Sequence, residues 1–262
     1  MNRQKNSPHE EAAVAKAAVA EAAVAAIICA AGASARMGGT KKEYRLLPGS
    51  NVTVLGAAVS AFAAVPAIKT IVITVPADSA TGEEAARNAL PPQFLAGESN
   101  PKLYFVSGGA TRRASVFNAL SFLAAQELPV NIALIHDGAR PWVSPALIQR
   151  VIDEAAICRA VIPLLPLTET PKETDSPLDG VGPVLIKRHL KRAVIGAAQT
   201  PQGFAFPEIL AAHQQAAAQD DSLHETFTDD AEVWAAFCGS VAAIPGEPEN
   251  RKITFPEDLC SE

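Results

Sequence analysis

No apolar run in this chain approaches the roughly 20 residues needed to cross a bilayer, so no membrane partner is expected. Positive charge is not in excess either. The formal net charge is −6, which argues against nonspecific binding to nucleic acid. The four cysteines, Cys29, Cys158, Cys238 and Cys260, lie far apart, with no C-x-x-C pair and no His–Cys spacing suited to zinc. A reducing, cytoplasmic setting is the simplest reading. Aromatic residues make up only 5% of the chain, and alanine inflates its apolar content. A dinucleotide fingerprint is also missing: where G-x-G-x-x-G needs three glycines, Gly32 alone is in place, and no acidic residue closes a second strand near position 75. A Walker loop is excluded by the lack of G-K-[ST].

What is present divides into an extension and a globular part. Residues 11 to 25 hold three copies of a five-residue unit, EAAVA, KAAVA and EAAVA. Alanine favours helix, yet Val14, Val19 and Val24 fall about 140° apart on a helical wheel and share no face. Lys16 and Glu21 interrupt any signal-peptide core, and Glu10 and Glu11 disfavour a transit peptide. Residues 1–22 are therefore read as an alanine-rich extension without chemistry, and 23–262 as one domain.

From Ala25 onward, buried-type runs alternate with helical segments. Strands are expected at 25–30, 70–75, 102–107, 131–137 and 160–167, the last at a sheet edge or end because of its prolines. Helices are expected at 53–64, 79–90, 112–126, 144–157, 207–219 and 228–237, and two final short strands in SVAAIPG and RKITF. Apolar runs without polar alternation, separated by helices, predict an α/β fold: a Rossmann-like, mostly parallel sheet with helices on both faces. Ligands of such sheets bind beyond the carboxyl ends of the strands. The loop after the first strand, Gly108-Gly109 after the third and Asp137 after the fourth all fall there. Residues 168–192, rich in Pro, Gly and charge, break the rhythm as either a floppy loop or an arm leaving the domain for a partner.

The stretch CAAGASARMGGTKKEY, residues 29–44, joins small residues to Arg36, Lys41 and Lys42. A small-residue turn can offer backbone N–H groups to phosphate oxygens, and cations can neutralise a triphosphate; an ordinary turn beside surface cations would look the same. Asp137 in IHDGARP could hold Mg²⁺ or a sugar hydroxyl, or cap a turn. Gly138 would allow close approach, and Arg140 adds an anion contact. Ser115 suits a base or phosphate, or a cap. His136 is read as structural, and Asp229 and Asp230 as capping and charging a helix start.

Six motifs occur in order: A-A-G-x-x-x-R-M with K-x-Y, G-G-x-x-R-x-x-S-V, H-D-x-A-R-P, A-Q-T-P-Q-x-F, T-D-[DE]-A and K-[IV]-T-x-P-E-D-L. Together, from about Ile27 to Leu259, they resemble the methylerythritol phosphate cytidylyltransferases of non-mevalonate isoprenoid biosynthesis. The resemblance implies transfer of CMP from CTP to 2-C-methyl-D-erythritol 4-phosphate, giving CDP-methylerythritol and pyrophosphate, with Mg²⁺ as cofactor. It places Arg36 and Lys42 on the triphosphate, and Arg192 and Lys252 on the second substrate, as the catalytic set. Lys41 is left unassigned, although a shift of one residue would exchange it with Lys42. Ala30, Ala31, Gly32, Ala33, Gly109, Ala110, Ser115, Asp137 and Gly138 would hold CTP, with Asp137 on the metal. Arg140, Thr170 and Thr200 would help hold methylerythritol phosphate.

The family's arm reaches across a two-fold axis, which implies a homodimer through 168–192, with Arg192 serving the neighbour's site. Alternatives are a ribitol-5-phosphate cytidylyltransferase and a catalytically idle CTP-binding protein. The chain departs from the family pattern at Ala33-Ser34-Ala35, where a central glycine is usual, at Ala110, where many members carry aspartate, and at Glu43, where glutamine is common. It also stops just after P-E-D-L, which suggests a truncated piece or part of a longer protein.

Overall fold

The computed structural model describes residues 23–34, 41–77, 80–96, 100–178, 180, 182–219 and 227–259. The alanine-rich extension 1–22, Arg36 and Cys260 lie outside the described residues. The strands are β1 (Val24–Cys29), β2 (Ile68–Val75), β3 (Lys102–Ser107), β4 (Ile132–Asp137), β5 (Ala160–Pro166), β6 (Lys172–Thr174), β7 (Ile186–His189), β8 (Gly196–Ala198), β9 (Gln202–Ala205) and β10 (Ala242–Pro245). The main sheet runs β10-β5-β9-β4-β1-β2-β3, with β8 paired to β5. β1 pairs in parallel with both β2 and β4, β2 with β3, and β10 with β5; β9 runs antiparallel between β4 and β5. The expected mostly parallel sheet is therefore found.

The sheet carries helices on both faces because its central strands are apolar in both directions. From β1, Val24, Ala26 and Ile28 point into a core shared with Leu55, Val59 and Phe62 of α1 (Val54–Ala63) and Leu147 and Val151 of α4 (Pro145–Cys158). Ala25 and Ile27 point the other way, into a core with Val116 and Leu120 of α3 (Arg112–Ala125), Ile209 of α5 (Glu208–Ala218) and Trp234 of α6 (Asp230–Phe237). Ile27 and Ile28 are fully buried, each contributing roughly 1.5–3 kcal/mol. α2 (Ala80–Asn88) completes the helices described.

Side-chain caps fix where the helices start. Thr53, Thr111, Ser144 and Asp229 each accept a hydrogen bond from the backbone N–H three residues on. Such caps are worth about 1 kcal/mol apiece.

Two expectations need correction. β5 is not an edge strand, since β10 flanks it on one side and β9 and β8 on the other. Its Pro163 is tolerated because it sits where the neighbour changes from β9, which pairs up to Val161, to β8, which pairs from Leu164. The Pro163 carbonyl faces that junction and accepts from Gln199 N at 2.9 Å, so the missing N–H faces a gap in the ladder. RKITF forms no strand. It crosses the strand ends, where Ile253 N donates to Ala139 O at 2.9 Å and the Ile253 side chain is fully buried. Residues 168–192 contain an exposed two-stranded antiparallel hairpin, β6 with β7.

Candidate active site

The carboxyl ends of β1 to β4 surround a cleft of about 550 Å³. The loop after β1 supplies Ala31, Gly32, Ala33 and Ser34; the turn into α3 supplies Gly109, Ala110, Thr111 and Arg112; β4 ends in Asp137. Lys42 and Glu43 line it from a 3-10 turn, Lys42–Tyr44, and Lys252 and Thr254 from the crossing segment. With Thr74 of β2, the fold thus brings residues from six separate stretches of chain to one strand edge.

Close backbone approach makes the rim narrow. A methyl on Gly108 would collide with that of Ala31 and stand 2.9 Å from Ser115 Oγ. One on Gly138 would stand 2.9 Å from the carbonyl oxygen of Cys29. Ala30 N donates to Thr74 Oγ1 at 3.2 Å, tying the loop to β2. Ser115 is a brace: its hydroxyl accepts from Gly109 N at 3.0 Å and donates to Thr111 O at 2.9 Å.

The two lysines of the first loop part company. Lys42 is buried and lines the cleft. Lys41 turns its ammonium into the loop itself, donating to Ala30 O at 2.6 Å and Gly32 O at 2.5 Å. Desolvation lowers the Lys41 pKa from its ordinary value, with Glu43 opposing and Lys42 adding to the shift.

Asp137 is the electrostatic centre. Lys252 Nζ lies 2.8 Å from its Oδ2, Arg112 Nε 3.3 Å from its Oδ1, and Arg140 Nε 3.7 Å from Oδ2. Burial alone would raise this carboxyl, but Arg112, then Lys252 and Arg140, outweigh it and hold it well below the usual carboxylate range. Arg112 also donates from Nη1 to Asp230 Oδ2 at 2.7 Å. On the cleft wall, burial pushes the Cys29 thiol up to about 12, so it stays protonated and is no nucleophile.

The cleft therefore offers Lys42, Arg112 and Lys252 together with the carboxylates of Asp137 and Glu43, beside backbone from small residues. That is an anion site with room for a phosphorylated ligand. One or two carboxylates suit Mg²⁺, which takes most of its ligands from phosphates and water. Among the described residues no group of three His, Cys, Asp or Glu side chains forms a dedicated metal cage. That donor set fits a magnesium ion that takes its remaining ligands from phosphate and water.

A family model described as 2-C-methyl-D-erythritol 4-phosphate cytidylyltransferase (IspD) matches residues 24–262. The chain belongs to that family. The bifunctional enzyme IspD/IspF of Nitrobacter hamburgensis is 38% identical over 243 residues, 90% of this chain and 53% of that protein. The chain spans about half the length of the curated relatives it matches. The solved 4-diphosphocytidyl-2C-methyl-D-erythritol synthase of Anaerococcus prevotii is 26% identical, with a TM-score of 0.74 over 93% of this chain and 96% of that one. The 2-C-methyl-D-erythritol 4-phosphate cytidylyltransferase of Thermus thermophilus is 29% identical, with a TM-score of 0.60 over 90% and 95%.

The positions singled out by resemblance to the cytidylyltransferase family fall into four places. Ala31, Gly32, Ala33, Lys42, Gly109, Ala110, Asp137, Lys252 and Ser115 line the cleft. Ala30, Gly138, Arg140 and Thr200 stand behind it: Thr200 Oγ1 accepts from Asp137 N at 3.0 Å, and Arg140 donates to Asn250 O at 2.7 Å. Thr170 and Arg192 are exposed at the base of the hairpin, outside the cleft lining, where Arg192 Nη1 donates to Thr168 O at 2.5 Å. Arg36 lies outside the described residues. His136 is buried beneath the site, its ring nitrogens 3.1 Å from Thr200 Oγ1 and 3.2 Å from Arg140 O.

Several residues went unassigned in the sequence. Arg112 stood inside G-G-x-x-R, so a signal for it existed. Asp229 caps α6 and Asp230 charges its first turn, as expected; what went unseen is that Asp230 is buried and turned to Arg112. Lys41, Ser34 and Glu43 shape the first loop, and only the departure from the family's glycine pointed to Ser34. Its φ of 50° lies in the left-handed region, which is why glycine suits that position.

Proposed function

We propose that this chain transfers CMP from CTP to 2-C-methyl-D-erythritol 4-phosphate. The observation that carries the reading is the convergence of Lys42, Arg112 and Lys252 on one cleft beside Asp137 and the small-residue loop. Family membership supports the choice of both substrates. A phosphate oxygen of methylerythritol phosphate attacks the α-phosphorus of CTP, the new P–O bond forms, and the bond to the bridging oxygen breaks as pyrophosphate leaves. No covalent link to the enzyme is needed, in keeping with a protonated Cys29.

The protein's work is positioning and charge stabilisation. Backbone of Ala31–Ala33 and Gly109–Ala110 admits the nucleotide closely, and Lys42, with Arg36, stabilises charge on the triphosphate as the α-phosphorus expands. Lys252, anchored on Asp137, orients the attacking phosphate, and Arg140 and Thr200 hold Asp137 from behind. Mg²⁺ would be held by Asp137 and the nucleotide phosphates and would supply charge neutralisation there. The exposed Leu178, Leu185, Ile186 and Val194 on and around the hairpin favour its burial against a second copy of this chain, with Arg192 and Thr170 serving the neighbouring cleft. Free Cys29, Cys158 and Cys238 suit a reducing cytoplasm.

The test is pyrophosphate release from CTP and Mg²⁺ with methylerythritol phosphate and ribitol 5-phosphate offered in parallel. Release with the first alone is the expected result. Release with ribitol 5-phosphate alone, or none from a protein that binds CTP, contradicts the reading.

A further inference from the structure

Arg112 is the first residue of α3, a place where the helix dipole disfavours a cation. Two carboxylates offset this. Asp137 takes Nε at 3.3 Å and Asp230 takes Nη1 at 2.7 Å, so the guanidinium is stretched between the end of β4 and the start of α6.

The Asp230 end of this span is rigid. Asp230 is 1% exposed and is the first residue of α6, where a carboxylate is favoured. Gln202 of β9 clamps that helix start: its amide donates to Asp229 Oδ2 at 2.7 Å and accepts from Ala231 N at 3.1 Å. On the far side, the fully buried His213 of α5 sets Nε2 3.2 Å from Asp230 Oδ1, close enough for an ion pair though not aligned as a hydrogen bond. A buried ion pair is a weak source of stability; what this one supplies is a fixed direction for Arg112, a side chain that otherwise has much rotamer freedom to lose.

We propose that Asp230 and His213 are positioning residues that act through Arg112, holding its guanidinium beside Asp137 in the geometry that receives the nucleotide. This rests on the reading of the cleft as the CTP site. Asp230 also withholds part of the Arg112 charge from Asp137, leaving that carboxylate able to serve the ligand. Neither residue lines the cleft, so each works one or two contacts away from it.

The experiment compares Asp230→Asn, Arg112→Lys, their double variant, and His213→Leu against His213→Gln, all in the full chain. CTP affinity is read by calorimetry, KM and kcat by pyrophosphate release, and Arg112 order by its side-chain Nε–H signal in nucleotide-free protein. Asp230→Asn is expected to blur the Arg112 signal and weaken CTP about tenfold, the size of one charge-assisted hydrogen bond, with KM for CTP changing more than kcat. In the Arg112→Lys background the same change should add little. His213→Leu should move CTP affinity in the same direction, and His213→Gln, which keeps a donor, should restore it. This pair carries the test if Asp230→Asn does not fold.

An Arg112 signal unchanged in Asp230→Asn overturns the proposal, as does full additivity with Arg112→Lys. A wild-type protein that binds no CTP, yet loses Arg112 order in Asp230→Asn, leaves the positioning intact and overturns the CTP reading instead.

Discussion

Ser34 Oγ donates to Glu43 Oε2 at 3.2 Å, joining the two ends of the first loop at the cleft rim. Both residues depart from the usual family pattern, and the structure shows them as one unit. Ser34 has a φ of 50°, a conformation that costs a residue with a Cβ about 1–2 kcal/mol. The bond to Glu43 offsets part of that cost. Glu43→Ala is therefore expected to destabilise the wild-type loop by about 1 kcal/mol, and to cost much less once Ser34→Gly has relieved the backbone. Urea midpoints for the four corners of this cycle check it; equal losses in both backgrounds would show that the pair does not act together.

The adjacent lysines are expected to fail differently. Lys42 faces the cleft, so Lys42→Ala should lower kcat by about 10²–10³-fold, as removal of a charge-stabilising group does. Lys41 holds the carbonyls of Ala30 and Gly32, so Lys41→Met loosens the loop and should act on KM for CTP, by about tenfold, more than on kcat. Steady-state kinetics separate the two, and circular dichroism checks that both variants stay folded. Loss of kcat from Lys41→Met with Lys42→Ala unaffected would exchange the assignments.

The sheet was legible because a parallel strand covered on both faces is an unbroken apolar run, as in β1, β2 and β4. Helix starts were legible because Thr53, Ser144 and Asp229 cap through local bonds that leave a local pattern. RKITF misled because K-I-T-F alternates as a strand does, while its bond to Ala139 depends on the neighbouring loop. The cleft edge followed from the carboxyl ends of the expected parallel strands, and the roles of its cations by resemblance. The Arg112–Asp230 pair left no such trace: the partners stand 118 positions apart, and nothing near either one encodes the other. The left-handed backbone at Ser34 was signalled only by the glycine usual there in the family, because serine itself does not mark such a turn.

Two adjacent groups at the end of β4 set how the fold responds to acid. Burial holds the His136 imidazole down to about 4, against an ordinary 6.5. The unfolded chain therefore takes up that proton first. Stabilisation from neutral His136 is complete above about pH 6.5 and is lost as pH falls toward 4, a difference of roughly 3 kcal/mol. Asp137 is held below its usual range by Arg112 and Lys252 against burial, so its contribution is present above about pH 4 and is lost only below that. Wild-type Tm should fall between pH 6.5 and 4.5, whereas His136→Gln should be less stable at pH 7 but nearly flat across that window. A wild-type Tm constant from pH 7 to 4.5 contradicts this.

The proposed dimer has a sharper test than its mass. Arg192 lies at the base of the exposed hairpin and Lys42 in the cleft, so a shared site requires them to meet from different copies. Lys42→Ala and Arg192→Ala are each expected to be nearly inactive alone. When the two are unfolded together in equal amounts and refolded, half of the dimers carry one copy of each. In such a dimer one cleft combines both defects, and the other combines an intact Lys42 with an intact Arg192 from its neighbour. Mixing should therefore recover about a quarter of wild-type activity, following the symmetry of a two-fold dimer. If Arg192 served its own cleft, every site in the mixture would carry one defect and no activity would return. A Leu185→Asp, Val194→Asp variant, which charges the exposed apolar side chains, should lower the sedimentation coefficient toward that of a monomer and abolish the recovery with it.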